Sequence, residues 1–345
     1  MAQEKRKRRK KRTKKRSAIS KVGFFFLILL LVLLVLGITV SAGWLWMNHS
    51  GQSRLSQKQE AVPELMQQAE SEAESEMILE AGSIRYHGKV YTYKKDILTF
   101  LFLGIDKEGE VKASSNLFKG GQADALFLAV LDPGEKKISV IGINRDTMAS
   151  MNVYDKNGRY SGRQTAQIAL SHAYGDGLEE SCENSLDAVS NLFYGLPIHG
   201  YCALNMPVVS KLNDAVGGVD VVIPESANGL EKGWTTGAEV HLKGDAAYRF
   251  IRYRDTAQEQ SAEARLERQK QYLKKFILQA KEAMKQDMTL PLQLYTQITP
   301  YMVTDVTADE AVYLAGQALS YSFGDDDFYS MTGTVKMGEK FEEFY

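Results

Sequence analysis

The chain has 345 residues, 44% of them apolar and 25% charged, which rules against collagen-like or wholly disordered classes and allows one or two domains. Its formal net charge of -1 hides an asymmetry: residues 1–21 carry 12 Lys and Arg against the single Glu4, a net of +11, so the other 324 residues carry about -12. The five histidines form no HExxH pattern and the two cysteines cannot build a four-cysteine cage, which argues against a protein-only zinc site. The lack of GxGxxG and GxxxxGKS argues against the common nucleotide enzymes.

The basic block KRKRRKKRTKKR opens the chain. Beside an apolar segment each Lys or Arg gains ~1 kcal/mol from anionic lipid headgroups, and 21 residues form no folded nucleic-acid reader. The block therefore reads as a cytoplasmic topology determinant, with no nucleic-acid partner expected. From Val22 to Met47 there are 26 residues without a charge, and about 20 helical residues cover the ~30 Å hydrocarbon core. Ser41-Ala42-Gly43 resembles a cleavage site, but the long apolar run and the Trp44/Trp46 pair favour an uncleaved transmembrane helix over a signal peptide. The positive-inside rule places residues 1–21 in the cytoplasm and everything after about residue 48 outside, a single-pass protein of the cell membrane. Residues 48–82, with Glu60, Glu64, Glu70, Glu72, Glu74 and Glu76, read as an acidic extracytoplasmic stalk. Residues 83–345 form one extracytoplasmic domain.

IRYHGKVYTY (84–93) alternates around a His-Gly turn and reads as a hairpin. ILTFLFLGI from Ile97, ALFLAVL (125–131) and ISVIGI (138–143) are continuous apolar runs, the pattern of strands covered on both faces by helices. Asp132-Pro133-Gly134-Glu135 makes a turn that sets the second and third runs antiparallel. Leu178, Cys182, Leu186, Val189 and Phe193 form a helical stripe ended by Gly195 and Pro197. A strand over 198–204, a short helix through Val208, Leu212 and Val216, and the strand VDVVIP (219–224) follow. A long helix spans about Ala262 to Lys285. Thr307 with Glu310 is a capping box opening a last helix through about Ser320, and DFYSMTGTVK supplies a final strand. No internal repeat is present, so the fold expected is an α/β sandwich with a central mixed sheet. Outside placement permits a disulfide between Cys182 and Cys202; a pair of buried free thiols fits the sequence equally.

Three polar insertions interrupt this framework. Asp106 follows the first strand and Asp124 precedes the second. As neighbours they make a hard-oxygen site suited to Mg²⁺ with water and phosphate, while each alone is an ordinary strand-end Asp. Arg145-Asp146-Thr147 ends the third strand, either as an ion pair or with Arg145 aimed into a crevice at the sheet's end. Arg252 and Arg254 in FIRYR share a face if that segment is a strand. On the long helix, Arg265, Arg268, Gln269 and Tyr272 form one stripe. Arginine binds phosphate oxygens as a rigid fork without losing its charge. Two Asp and several Arg without a nucleotide motif suit a pyrophosphate presented with a metal ion.

The stretches LFLGID, ADALFLAVLDPGEKKISVIGINRDT, ALSHAYGDG, YGLPIHGYCALNMPVVSKLNDAVGGVDVVIPE and LKGDAAYRFIRYRDT...ARLERQKQYL resemble the LytR-CpsA-Psr family of membrane-anchored cell-wall glycopolymer ligases over about residues 97–285. The resemblance implies an αβα sandwich with an apolar groove for a polyprenyl tail. It implies transfer of a glycopolymer phosphate, such as teichoic acid or capsule, from an undecaprenyl pyrophosphate carrier to peptidoglycan. By motif position, Asp106 and Asp124 match carboxylates associated with Mg²⁺, for which Mn²⁺ could substitute. Arg145, Arg252, Arg254, Arg265 and Gln269 match a pyrophosphate-binding set, beside which Arg268 stands as a further candidate. Asp146 is a candidate to orient Arg145 or to act as base. The chain departs from the family pattern at Gln122-Ala123-Asp124-Ala125, where Arg-Ser-Asp-Thr is frequent, at Ala262-Glu263-Ala264-Arg265, which lacks an Asp and a Gly, and at Phe250 in place of a Tyr. Two other activities share these features: a phosphatase acting on the same lipid pyrophosphate, and a non-catalytic protein that binds it.

Overall fold

A computed structural model describes residues 41–59, 80–114, 119–155, 157–255, 261–338 and 341–345. The basic tail, most of the apolar span expected at 22–47 and most of the stalk expected at 48–82 lie outside the described residues. Among the described residues no helix is long and apolar enough to cross a membrane. The chain divides into two units, Met1–Trp46 and Met47–Tyr345. Of the first, residues 41–46 are described, and they are helical.

The second unit is built on a six-stranded mixed sheet. Its strands are β3 (Leu98–Ile105), β4 (Ala123–Asp132), β5 (Lys137–Ile143), β8 (Gly200–Asn205), β11 (Met302–Thr304) and β12 (Phe328–Ser330), in the order β11-β8-β3-β4-β5-β12. The three apolar runs become the central β3, β4 and β5, antiparallel in sequence. Asp132 pairs with Lys137 across the expected turn, where the Glu135 N–H donates to the Asp132 carboxylate at 3.0 Å. β8 lies parallel to β3 and β12 parallel to β5. Side chains alternate across a strand, so Leu101, Leu103 and Ile105 enter one apolar cluster while Leu98 and Phe100 enter another on the opposite face. The first face is covered by α1 (Glu179–Leu192), whose Cys182, Ala188 and Val189 are fully buried. The second is covered by α4 (Ser261–Gln286) and α6 (Ala308–Ser320), through Leu266, Leu273, Tyr313 and Leu314. α6 opens on the expected capping box, the Thr307 N–H donating to the Glu310 carboxylate at 2.8 Å.

Smaller strand pairs flank the sandwich: β1 (Ser83–Tyr86) with β2 (Lys89–Thr92), β6 (Met148–Tyr154) with β7 (Tyr160–Gln167), β9 (Val219–Val222) with β10 (Glu239–Leu242), and β13 (Val335–Met337) with β14 (Glu342–Phe344). β1 and β2 are the hairpin read at 84–93. Its turn residues His87 and Gly88 both hold positive φ, 47° and 71°, as a tight two-residue turn requires. α2 (Val208–Ala215) and α5 (Leu290–Ile298) complete the helices named here, with α3 described next.

Two sequence expectations are corrected, and of the two open readings of the cysteine pair the structure has the free thiols. FIRYR is not a strand: α3 runs Asp245–Arg252, because Ala247, Phe250 and Ile251 recur at helical spacing and bury against Trp234 and Tyr272. Cys182 and Cys202 are both free thiols. Cys182 sits in the cluster on one sheet face, whereas on β8 Tyr201 and Ala203 take that face and Cys202 packs on the other with Leu204 and Val208. The sheet itself separates the sulfurs. Residues 48–59, expected as the start of a solvated stalk, are helical, and Gly51, Arg54, Leu55 and Lys58 pack on or beside α6. Leu55 is 1% exposed in the second cluster, and Arg54 and Lys58 reach Asp309 and Glu310, both at 3.3 Å. Gly51 lies so close that a Cβ there would stand 2.3 Å from the Asp309 carbonyl oxygen. Gly51→Ala is therefore expected to lower stability by about 1 to 3 kcal/mol and to expose the 48–59 segment to limited proteolysis.

Two buried histidines give the fold a pH dependence. His199 Nδ1 accepts the Thr99 N–H at 3.0 Å, and His172 Nδ1 meets the Gly121 carbonyl at 3.0 Å. Burial pushes both down from 6.5 to about 4, so the native state keeps them neutral while the unfolded chain takes up protons first. Stability is then complete above about 6.5 and falls as pH drops toward about 4, by on the order of 3 kcal/mol per histidine. Asp106, Asp146 and Asp305, raised by burial, act in the opposite sense at the acid end. His199→Asn, which keeps an acceptor for the Thr99 N–H, is expected to flatten the pH dependence of the melting temperature over this window.

Candidate active site

Antiparallel pairing brings the C-terminal ends of β3 and β5 beside the start of β4, so the Asp106, Asp124 and Arg145-Asp146 positions meet at one end of the sheet. Arg145 is the hub. Its guanidinium donates to the Asp124 carboxylate and to the Gln122 side-chain oxygen, and its Nε lies 3.4 Å from Asp146 Oδ1. From the second turn of α4, Arg265 donates Nη1 to Asp124 Oδ2 at 3.0 Å. Its Nη2 is buried and has no hydrogen-bond partner among the described residues. Arg254, beyond the end of α3, donates Nε to the Ser261 hydroxyl at 2.9 Å and directs Nη2 at Asp146 Oδ2, 3.4 Å away. Asp124 and Asp146 thus tie three arginines from three parts of the chain into one cluster.

Burial raises the pKa of Asp146 against the lowering pull of Arg145, Arg254 and Arg265, and lowers that of Arg265. Asp106 is also raised, first by burial and further by the charge of Asp124, although its Oδ1 accepts the Gln122 N–H at 2.6 Å. Asp106 and Asp124 are the two carboxylates of the expected Mg²⁺ pair, and Asp124 already accepts from Arg145 on Oδ1 and from Arg265 on Oδ2. They make no protein-only cage: among the described residues no group of three or more His, Cys, Asp or Glu could hold a metal.

The remaining candidates fall elsewhere. Arg252 is exposed at the end of α3, its guanidinium 5.6 Å from the centre of the Tyr248 ring. Burial raises the pKa of Tyr248 and the Arg252 charge lowers it. Arg268 does not face the site. It is 2% exposed and donates to the Phe250 carbonyl at 2.9 Å, to the Tyr253 carbonyl and to the Ser226 hydroxyl at 2.7 Å. Gln269 donates to the Ile251 carbonyl at 3.3 Å. Both therefore fasten the end of α3 to α4, and with it the loop bearing Arg254. Two further residues were not among the sequence candidates. Gln167, ending β7, donates to Asp146 Oδ1 at 3.2 Å and to the Glu342 carbonyl at 2.8 Å. Glu342 Oε2 lies 3.5 Å from Arg254 Nη2. Neither stands in a motif, because both reach the site by long-range pairing. Gln122 was visible only as a departure from a frequent Arg, and its oxygen serves Arg145 where an arginine would repel it.

The LytR_cpsA_psr family matches residues 53–336 of this chain. The chain belongs to that family. Among curated relatives it is 30% identical over 165 residues to a polyisoprenyl-teichoic acid–peptidoglycan teichoic acid transferase, TagU of Bacillus anthracis, covering 47% of this chain and 46% of the relative. A TagU of Enterococcus faecalis is 25% identical over 225 residues, covering 64% and 65%. The chain spans about half to two thirds of the length of these relatives. Among solved structures, Bacillus subtilis TagV superposes with a TM-score of 0.54 at 21% identity, over 73% of this chain and 91% of that one, which establishes the shared LytR_cpsA_psr fold. The family match covers Asp106, Asp124, Arg145, Asp146, Arg254 and Arg265, and ends before Glu342.

Proposed function

We propose that the protein is a cell-wall transferase that moves a glycopolymer phosphate from an undecaprenyl pyrophosphate carrier onto peptidoglycan, anchored in the membrane by the apolar span at 22–47. The observation that carries the reading is the convergence of Arg145, Arg254 and Arg265 at one end of the sheet, with a 4% exposed Arg265 whose Nη2 has no partner among the described residues. A buried guanidinium with an idle donor is poised for an anion, and a pyrophosphate supplies several oxygens to planar forks of this kind.

In this reading Arg265 and Arg145 grip the phosphate to be transferred, and Arg254 neutralises the charge that develops on the departing lipid phosphate. Asp146, raised by burial, holds Arg145 and Arg254 and accepts the proton of the attacking sugar hydroxyl, a role its reduced acidity favours. Asp106 and Asp124 would hold Mg²⁺, which contributes charge neutralisation on the pyrophosphate oxygens. Phe102 supports a lipid-bound donor: it is 43% exposed in the middle of the sheet, opposite Cys202 and Phe127 on the neighbouring strands. Phe102 is the exposed apolar side chain there, beside the buried Phe127, and offers a polyprenyl chain a contact on a central strand.

The deciding experiment incubates the full chain with a short-chain polyprenyl pyrophosphate glycan, a peptidoglycan oligomer and Mg²⁺, followed by mass spectrometry. A glycan-phosphate adduct on the peptidoglycan is expected. Free glycan phosphate alone would make the protein a phosphatase, and tight binding without product would make it a binding protein.

A further inference from the structure

β14 (Glu342–Phe344) lies beyond the family match at 53–336 and yet forms a wall of the arginine cluster. Its backbone is tied in from two sides. The Phe344 N–H donates to the Asp146 carbonyl at 3.0 Å, and the Glu342 carbonyl accepts from Gln167 at 2.8 Å. Glu342 and Phe344 then line a small cavity with Asn144, Asp146, Ala262 and Glu263. These contacts bring the Glu342 carboxylate to 3.5 Å from Arg254 Nη2, the nitrogen that also faces Asp146 at 3.4 Å.

Among the described residues the charges in this ion-paired cluster balance. Arg145, Arg254 and Arg265 face Asp124, Asp146 and Glu342, and only Glu342 comes from outside the family-matched stretch. Without it the same cluster carries one net positive charge. Building on the proposed pyrophosphate site, we infer that Glu342 is an internal anion that competes with substrate phosphate for Arg254 and so sets which donors the site accepts. An incoming phosphate must displace this carboxylate from the guanidinium. A pyrophosphate, with more charge and more oxygens than a monophosphate, meets that demand better. Glu342 therefore acts through Arg254, as a selectivity residue contributed by this chain's own C-terminal strand.

The side chain can be altered without loss of the wall, because β14 is held by backbone contacts and by the Glu342 carbonyl. The test is titration calorimetry of the full chain in detergent with inorganic pyrophosphate and, separately, inorganic phosphate, at one ionic strength. Glu342→Gln is expected to tighten both, by about three- to tenfold, with the larger gain for phosphate. Glu342→Asp, which keeps the charge, should stay nearer the parent, and in an Arg254→Ala background the gain should vanish. Equal affinities for parent and Glu342→Gln, with binding still weakened by Arg254→Ala, would overturn the role of Glu342 and leave the pyrophosphate site standing. No binding by the parent or Glu342→Gln would overturn both. A gain that persists without Arg254 would also refute the inference, since it would place the competition elsewhere.

Discussion

If the protein is the transferase proposed above, Arg145→Ala is expected to lower the rate of phosphate transfer by about 100- to 1000-fold, the loss that follows when one preorganised donor to a developing charge is removed. Among the described residues Arg145 alone is ion-paired to both Asp124 and Asp146: it donates to Asp124, lies 3.4 Å from Asp146 and takes the Gln122 oxygen. Alanine there deletes a charge and leaves Asp124 balanced by Arg265 and Asp146 by Arg254 alone, so less positive charge faces the incoming phosphate. Arg145→Lys should recover only a small part of the rate, because a point charge cannot serve Asp124 and Gln122 with the geometry of a planar fork. The measurement is the initial rate of adduct formation at saturating donor, with the melting temperature as control for folding. A rate within about threefold of the parent for Arg145→Ala would remove this residue from the chemistry.

Arg268→Ala is expected to destabilise the protein by about 3 to 5 kcal/mol, read as a fall in denaturation midpoint. The residue is 2% exposed, and its loss strands the buried Phe250 carbonyl and takes the partner from the part-buried Tyr253 carbonyl and Ser226 hydroxyl; each buried polar group left without a partner costs about 1 to 3 kcal/mol, and the packing of a buried arginine stem is lost as well. Burial already lowers the Arg268 pKa to about 10, a sign of how little water reaches the guanidinium. Protein that does fold should also transfer phosphate more slowly, since the carbonyls it holds fix the loop that carries Arg254. Unchanged stability would mean that the end of α3 is secured by other contacts.

The two arginines show what a linear motif can and cannot say. Arg265 and Arg268 share a helical stripe, Arg265 as a match to the phosphate-binding set and Arg268 as a further candidate beside it. In the structure Arg265 reaches Asp124, and three residues later Arg268 reaches the end of α3. Spacing on a helix defines a face to within a wide arc, and only the element packed against that arc decides what each side chain meets. FIRYR makes the same point for backbone: arginines alternating with large apolar residues satisfy a strand pattern, but burial of Ala247, Phe250 and Ile251 against Trp234 and Tyr272 selects the helix.

The amino-acid sequence by itself determined the three central strands, the turn at Asp132, the capping box at Thr307 and the positions of Asp106, Asp124, Arg145 and Arg265, because these depend on local apolar runs and on residues placed at strand and helix ends. Only the tertiary structure decided the rest. It set the sheet between Cys182 and Cys202, docked residues 48–59 on α6 through Gly51 and Leu55, and brought Gln167 and Glu342 to Asp146 and Arg254. The physical reason is separation along the chain. Gln167 donates to a carbonyl 175 residues away, and contacts of that span are set by how whole elements pack, which leaves no periodic mark on the sequence at either end.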